Sequence, residues 1–296
     1  MLTTGVTMAV GGYLWWALIT PLYYRAVTEV PLGELLAWRV LSGIPILILV
    51  LWWTGSLPTM FGIFRSPKVL KWLAVSAVLI AINWVTFVWS VMDNRLSEAS
   101  LGYYINPLVW VFMGRVFLSE RMRGAQWFSV FLAAIGVGIL TWRIGYLPWI
   151  SLTLATSFAL YGLVRKQVDA APATGLAVEM ILLIPLMLLL IFYDHVQHGS
   201  AFLEGPMWVS AYLLLGGIVT AVPLVLFTGG AKRLQLTTMG MLQYISPTGQ
   251  LLLAVLAFGE PFGGDRLTAF VFIWIALIIY SVDSIKHARR AIVDRA

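Results

Sequence analysis

Residues 103–107 read Tyr-Tyr-Ile-Asn-Pro, and residues 243–247 read Gln-Tyr-Ile-Ser-Pro. The two stretches stand 140 residues apart, and that one shift aligns much else. Leu36-Ala37 falls on Leu176-Ala177, Ile44-Pro45 on Ile184-Pro185, Phe87 on Phe227 and Leu96 on Leu236. Glu120 and Glu260 each follow their proline by 13 residues. Apolar sequences align loosely with one another at many shifts. A gapless register through a Tyr-Ile-x-Pro match reads instead as an internal duplication.

What is duplicated follows from composition. The chain has 296 residues, 60% hydrophobic and only 11% charged. Soluble domains carry about 25% charged residues, so most of this surface must face lipid. A spanning helix needs roughly 20 mainly apolar residues. Ten runs qualify: Thr3–Tyr24, Leu35–Thr54, Trp72–Met92, Ala99–Leu118, Gly124–Trp142, Gly145–Val164, Gly175–Tyr193, Pro206–Gly229, Leu236–Phe258 and Leu267–Val282. Ten-residue alternation is absent, which argues against a barrel. The expected fold is all-α and membrane-embedded, with ten helices in two five-helix units, residues 1–143 and 144–296. Five is odd, so the second unit must enter the membrane upside down. Inverted repeats of this kind are a transporter architecture, with the substrate site between the repeats near mid-membrane.

Several function classes drop out. Cysteine is absent, which removes disulfides, thiolate catalysis and Cys-based zinc sites. Nucleotide-binding and hydrolase motifs are missing, and no enzyme activity, cofactor or metal is expected. His195-x-x-His198 lies in a polar loop without enough further ligands for a metal. The +6 net charge is no nucleic-acid signal, because the basic residues occupy short loops. The first run lacks a basic leader and is long enough to span, so it is kept as a helix rather than a signal peptide. Arg65, Lys68, Lys71, Arg115, Arg121, Arg123, Arg165, Lys166, Lys232, Arg233, Lys286, Arg289, Arg290 and Arg295 fall on one side. Only Arg25, Arg95, Arg143 and Arg266 fall on the other. This bias predicts that both termini are cytoplasmic, with Lys286, Arg289 and Arg290 against anionic lipid.

Four constellations could carry function. Tyr103, Asn106 and Trp110 share a helix face around Pro107; their images Gln243, Ser246 and Gln250 share another around Pro247. A proline frees a backbone carbonyl, which in a membrane belongs beside protein or a wet cavity. These faces are expected to be two walls of one cavity, with hydrogen bonding between packed helices as the alternative. The third and eighth runs present Ser76, Ile80, Asn83, Phe87 and Ser90, and Gly216, Thr220, Pro223, Phe227 and Gly230. Those faces suit either a cavity or close helix packing. Trp52, Trp53, Trp72, Trp142 and Trp208 read as interfacial anchors. Trp15, Trp16 and Trp84 lie mid-helix, where an aromatic cavity and ordinary core packing remain open. Arg39 and Glu179 occupy equivalent positions inside their runs. Inversion puts them at opposite depths, so they are not expected to pair. Glu179 reads either as a proton carrier or as the partner of a loop residue such as Lys232 or Arg233, or it snorkels to water.

With those residues in view, the chain resembles the RarD proteins of the EamA branch of the drug/metabolite transporter superfamily. The resemblance is carried by Glu98 to Pro107 (Glu-Ala-Ser-Leu-Gly-Tyr-Tyr-Ile-Asn-Pro), Glu120-Arg121, Tyr161 to Lys166, Gly217 to Thr220 with Pro223, Gln243 to Pro247, and Phe272-Ile273-Trp274. It covers nearly the whole chain. Position 17 is Ala where similar proteins often have Gly, which is expected to loosen the contact of the first helix. The resemblance implies a multi-pass protein of the bacterial inner membrane with permease activity. RarD proteins are commonly labelled as chloramphenicol-sensitivity or resistance permeases, which does not fix a substrate. The expected function is a secondary exporter of small organic or drug-like solutes by alternating access, with a lipid-linked-substrate flippase as the alternative. Small solute, lipid and a coupling proton are the expected partners, and nucleic acid is not one. The expected cavity lies between the first, third, fourth, sixth, eighth and ninth runs. Its candidates are Trp16, Asn83, Trp84, Phe87, Tyr103, Asn106, Trp110, Tyr161, Thr220, Phe227, Gln243, Ser246 and Gln250.

Overall fold

The computed structural model of the chain describes residues 2–26, 29–93, 95–142, 148–258 and 264–293, and every regular element among them is helical. Arg143, Glu260, the start of the sixth run at Gly145 and the unit boundary at 143/144 lie outside the described residues. The first run is α1 (Leu2–Leu14), a π-helical turn (Trp15–Ile19) and α2 (Thr20–Ala26). The second is α3 (Leu32–Leu41) and α4 (Gly43–Trp53), separated at Ser42. The short α5 (Leu57–Phe64) follows, then α6 (Pro67–Met92), α7 (Leu96–Phe117), α8 (Gly124–Trp142) and α9 (Trp149–Gln167). After α10 (Pro172–Leu182) and α11 (Ile184–His198) come the single turn α12 (Ala201–Glu204) and α13 (Met207–Arg233). The chain closes with α14 (Leu236–Gln243), α15 (Ile245–Phe258) and α16 (Gly264–Val293).

Six stretches are long and apolar enough to cross a membrane: Thr3–Ala26, Leu32–Trp53, Pro67–Ser90, Gly124–Trp142, Met207–Arg233 and Leu267–His287. The α10–α11 pair, bent by 49°, gives a seventh. α7, α9 and the α14–α15 pair fall outside that test. Each has a reason. α7 carries Glu98 and Arg115, and α9 ends on Arg165-Lys166. The ninth run is cut after eight residues, at Tyr244. Each of them presents one polar face inward and apolar side chains such as Phe112, Phe117 and Leu256 outward.

The helix breaks do not follow the prolines as the sequence suggests. α7 and α13 are helical straight through Pro107 and Pro223. Only Pro247 adjoins a break, just after Tyr244. The unanticipated breaks fall in front of Ile44-Pro45 and Ile184-Pro185. Pro45 and Pro185 have no N–H for the carbonyls of Leu41 and Ile181, so each break falls where one backbone hydrogen bond is already missing, although α7 and α13 tolerate the same loss without breaking. The Ser42 hydroxyl donates to the Trp38 carbonyl at 2.6 Å beside the first break.

Starts of elements recur at the 140-residue shift: Leu32, Pro67, Leu96 and Gly124 against Pro172, Met207, Leu236 and Gly264. Packing recurs too. α6 packs on α9 as α13 packs on α1, and α3 on α13 as α10 on α6. α8 and α16 pack on each other, outside the rest. Trp52, Trp53, Trp72, Trp142 and Trp208 are all exposed at or near helix ends, as belt residues are. Ala17 is fully buried, and a Cβ at Gly249 would come within 2.7 Å of its own Cβ, so the expected loosening there is not seen.

Candidate functional site

One end of the bundle holds a cavity of about 380 Å³. Its wall takes Trp16, Thr20, Pro21 and Tyr24 from the first helix, and Asn83, Trp84 and Phe87 from the C-terminal half of α6. The N-terminal half of α7 gives Ser100, Gly102, Tyr103 and Asn106, and that of α9 gives Leu154 and Phe158. Thr220 and Leu224 come from α13, while Gln243, Ser246, Pro247 and Gln250 straddle the α14–α15 break. Arg39 of α3 completes it. Antiparallel neighbours thus contribute opposite halves, which places the cavity toward the end where α2 finishes and α3 begins, and where α6 finishes and α7 begins. Ser100 and Tyr103 of this wall are exposed.

Polar side chains hold the wall by bonding to backbone across helix pairs. Asn106 donates Nδ2 to the Ala155 carbonyl of α9 at 2.7 Å and accepts Trp110 Nε1–H on Oδ1 at 2.7 Å. Ser246 donates to the Tyr13 carbonyl at 2.9 Å, and Gln250 to the Trp16 carbonyl at 3.0 Å. Helix seven therefore grips the ninth element as α15 grips the first helix, from positions 106 and 246. The π-helical turn supplies the Trp16 carbonyl, the kind of local irregularity that recurs at functional sites. Asn83 donates to the Leu154 carbonyl at 2.8 Å and to Ser157 Oγ at 3.1 Å. Gln243 Oε1 is buried without a hydrogen-bond partner.

Ten of the thirteen candidates named from sequence line this space. Trp110, Tyr161 and Phe227 do not. They are fully buried and form a floor with Phe158. Phe227 is its hub, with ring centroids 5.0 Å from Phe158, 5.4 Å from Trp110 and 5.7 Å from Trp16. Trp110 shares a helix face with Tyr103 and Asn106, but Asn106 captures its indole N–H and turns the ring into the core. Of the three prolines only Pro247 reaches the wall. Arg39 lines the cavity although its helix was not expected to contribute. Thr20, Tyr24 and Phe158 went unnamed; extending the Trp16 and Tyr161 faces by three or four residues finds them.

Below the floor the bundle is shut. Glu120 caps α14, accepting from the backbone N–H of Leu236 at 2.7 Å and of Thr237 at 2.9 Å, where a carboxylate suits a helix N-terminus. Lys166 caps the end of α13 at the Ala231 carbonyl, 2.8 Å away, and also bonds the Leu234 carbonyl. Tyr13 donates to the Met239 carbonyl at 3.0 Å. Glu179 is here as well, only 1% exposed, so it does not snorkel. Its partner is neither Lys232, which donates to the Val168 carbonyl, nor Arg233, which donates to that of Gly229. It is Arg165, expected in a loop but wholly buried in α9, with Nε 3.4 Å from Oε1. Ser76 and Tyr161 also donate to the carboxylate.

Comparison with known proteins agrees with this architecture. Residues 3–142 match the EamA-like transporter family. Protein RarD of Escherichia coli is 41% identical over 286 residues, covering 97% of this chain and 96% of its own. An uncharacterized transporter of Pseudomonas aeruginosa is 44% identical, covering 98% and 97%. A crystal structure of a protein 17% identical superposes with a TM-score of 0.75 over 95% of this chain and 99% of the other, a likeness of fold. This multi-pass membrane protein belongs to the EamA-like transporter family, within its RarD subfamily.

Proposed function

We propose that the chain is a secondary permease that moves small organic solutes by alternating access, with the cavity as its substrate site. One observation carries this reading: a cavity with both polar and aromatic walls lies toward one end of the bundle, while buried polar contacts pack the other end. About 380 Å³ is at the small end of the range for ligand pockets, which suits a metabolite-sized solute. The recurrence of element starts and packing pairs at a 140-residue shift supports two inverted five-helix units, 1–143 and 144–296. α7, α9 and α14–α15 then complete ten spans. Their polar faces are tolerated because they turn to the cavity, while apolar side chains such as Phe112, Leu152 and Leu256 face outward. In this reading the protein lies in the bacterial inner membrane with cytoplasmic termini. The cavity end faces outward and the Glu120 and Glu179 contacts close the cytoplasmic side. Needing no nucleotide site, transport would draw on an ion gradient, with the proton as the coupling ion.

Efflux and uptake of a metabolite panel in oriented vesicles, with and without a proton gradient, test the reading. The expected result is gradient-dependent movement of a subset of small solutes. Movement of none above protein-free vesicles would overturn it.

A further inference from the structure

The cavity wall contains a cation with no anion to balance it. Arg39 Nε donates to Thr220 Oγ1 at 2.8 Å, and Nη1 donates to the Tyr24 hydroxyl. The guanidinium also lies 5.2 Å from the centroid of the Tyr24 ring. All three contacts are neutral. The carboxylates are committed elsewhere. Glu34 accepts from Ser200 and the backbone N–H of Ala201 and Phe202, and Asp194 accepts from the Glu34 N–H. Glu98 pairs with Arg95, Glu179 with Arg165, and Asp283 with Arg123. Among the described residues no carboxylate lies within ion-pair distance of Arg39.

Arg39 is partly buried, and a partly buried cation without a counter-charge leaves its field unbalanced in the cavity beside it. Here the two hydrogen bonds use two of the five guanidinium N–H groups. The guanidinium fork matches a carboxylate. Around it stand Trp16, Trp84, Phe87 and Phe158, a surface for an apolar or aromatic body. Gln243 lines the same wall, and its Oε1 is buried without a hydrogen-bond partner.

We propose that the solute is a small organic monoanion. Its carboxylate pairs with Arg39, its apolar body lies on the Trp16, Trp84 and Phe158 rings, and its N–H or O–H meets Gln243 Oε1. A single cation in an otherwise neutral wall balances one charge, which favours a monoanion over a polyanion. This rests on the cavity being the water-accessible site proposed above, and the test separates the two.

The chain has no cysteine, so single cysteines can be placed without background labelling. Thr20→Cys and Ser246→Cys each put a thiol in the wall, and Gln197→Cys provides an exposed reference. Reaction rates are measured with anionic sulfonatoethyl and cationic trimethylammonioethyl methanethiosulfonates, each normalised to the reference site. An unbalanced cation concentrates anions about tenfold or more. The anionic reagent should therefore be favoured by roughly that factor in the cavity. Arg39→Gln should bring the ratio close to one, while Arg39→Lys should keep it. A normalised ratio at or below one, or a preference that survives Arg39→Gln, overturns the anion proposal and leaves the cavity standing. Failure of both reagents at both sites overturns the cavity reading itself. If Arg39→Gln does not reach the membrane, the decision passes to protection of Thr20→Cys. Phenylacetate should protect and phenylacetamide should not; equal protection overturns the proposal.

Discussion

Replacing Glu179 by Gln removes one charge and almost no volume from the closed end. The consequence is set by Arg165, which is fully buried and has Glu179 as its ion-pair partner at 3.4 Å. Its Nη2 donates to the Pro172 carbonyl at 3.0 Å, which satisfies one donor but balances no charge. Breaking a buried pair from one side costs about 3–5 kcal/mol, because the remaining charge stays buried. For a chain of this size each kcal/mol moves the melting temperature by about 2–4 °C. A fall of about 6–20 °C is therefore expected for detergent-solubilised protein, read from retention of the monodisperse peak after heating. The double variant Arg165→Met/Glu179→Gln should recover most of that loss. It removes the orphaned cation, and the Gln oxygen accepts from one of the Ser76 and Tyr161 hydroxyls while its NH2 donates to the other hydroxyl oxygen. An unchanged melting temperature in Glu179→Gln would refute the charged pair. Glu179 would then be a neutral acid in the folded protein, the starting point for proton carriage. Loss of uphill transport with exchange intact, in the recovered double variant, would separate coupling from stability.

Three further outcomes follow from particular contacts. Asn106→Leu and Ser246→Leu should abolish vesicle transport, with immunoblotting to show membrane abundance preserved; normal transport by both would remove these residues from the solute path. Gly162→Ala should sharply reduce detergent-stable protein, because a Cβ there meets the Trp110 ring. Overpacking of this kind costs about 1–3 kcal/mol or more, and wild-type thermal stability would show that the ring can yield. Reporter fusions at Gln197 and at the C-terminus should report opposite sidedness, and the same sidedness would contradict ten spans.

Much of the architecture is legible in the sequence because lipid leaves few choices. Sixty per cent hydrophobic residues and a repeating register limit the chain to helical spans. The cavity-lining polar residues are legible for the same reason: Asn83, Asn106 and Gln243 are costly in an apolar run unless they bond something. What escaped was decided by helix-to-helix geometry. Arg165 and Lys166 end a run and read as a loop, yet α9 extends through both and only Lys166 reaches its edge. The pairing of Arg165 with Glu179 depends on α10 returning against α9, which no spacing along the chain displays. The breaks at Ser42 and Leu183 had a visible signal in the two Ile-Pro pairs. These were read as marks of repetition and not as missing backbone donors.

The duplication also sharpens what the unequal residues mean. Positions 39 and 179 are equivalent, one a cation and the other an anion. Arg39 faces the cavity, while Glu179 is sealed below the aromatic floor. In the proposed inverted pair, alternating access exchanges the conformations of the two units. The opposite state would then close the wall around Arg39 and open the end that holds Glu179. A solute would meet a cation from one side and a carboxylate held by Arg165, Ser76 and Tyr161 from the other. In that proposal symmetry of the backbone would supply the motion, and the difference between two side chains would make the two sides chemically distinct. An anion favoured at Arg39 is disfavoured beside an ionised Glu179. Under the proposed mechanism, neutralising Glu179 by proton uptake, or holding its charge on Arg165, would then set the side from which such a solute is released.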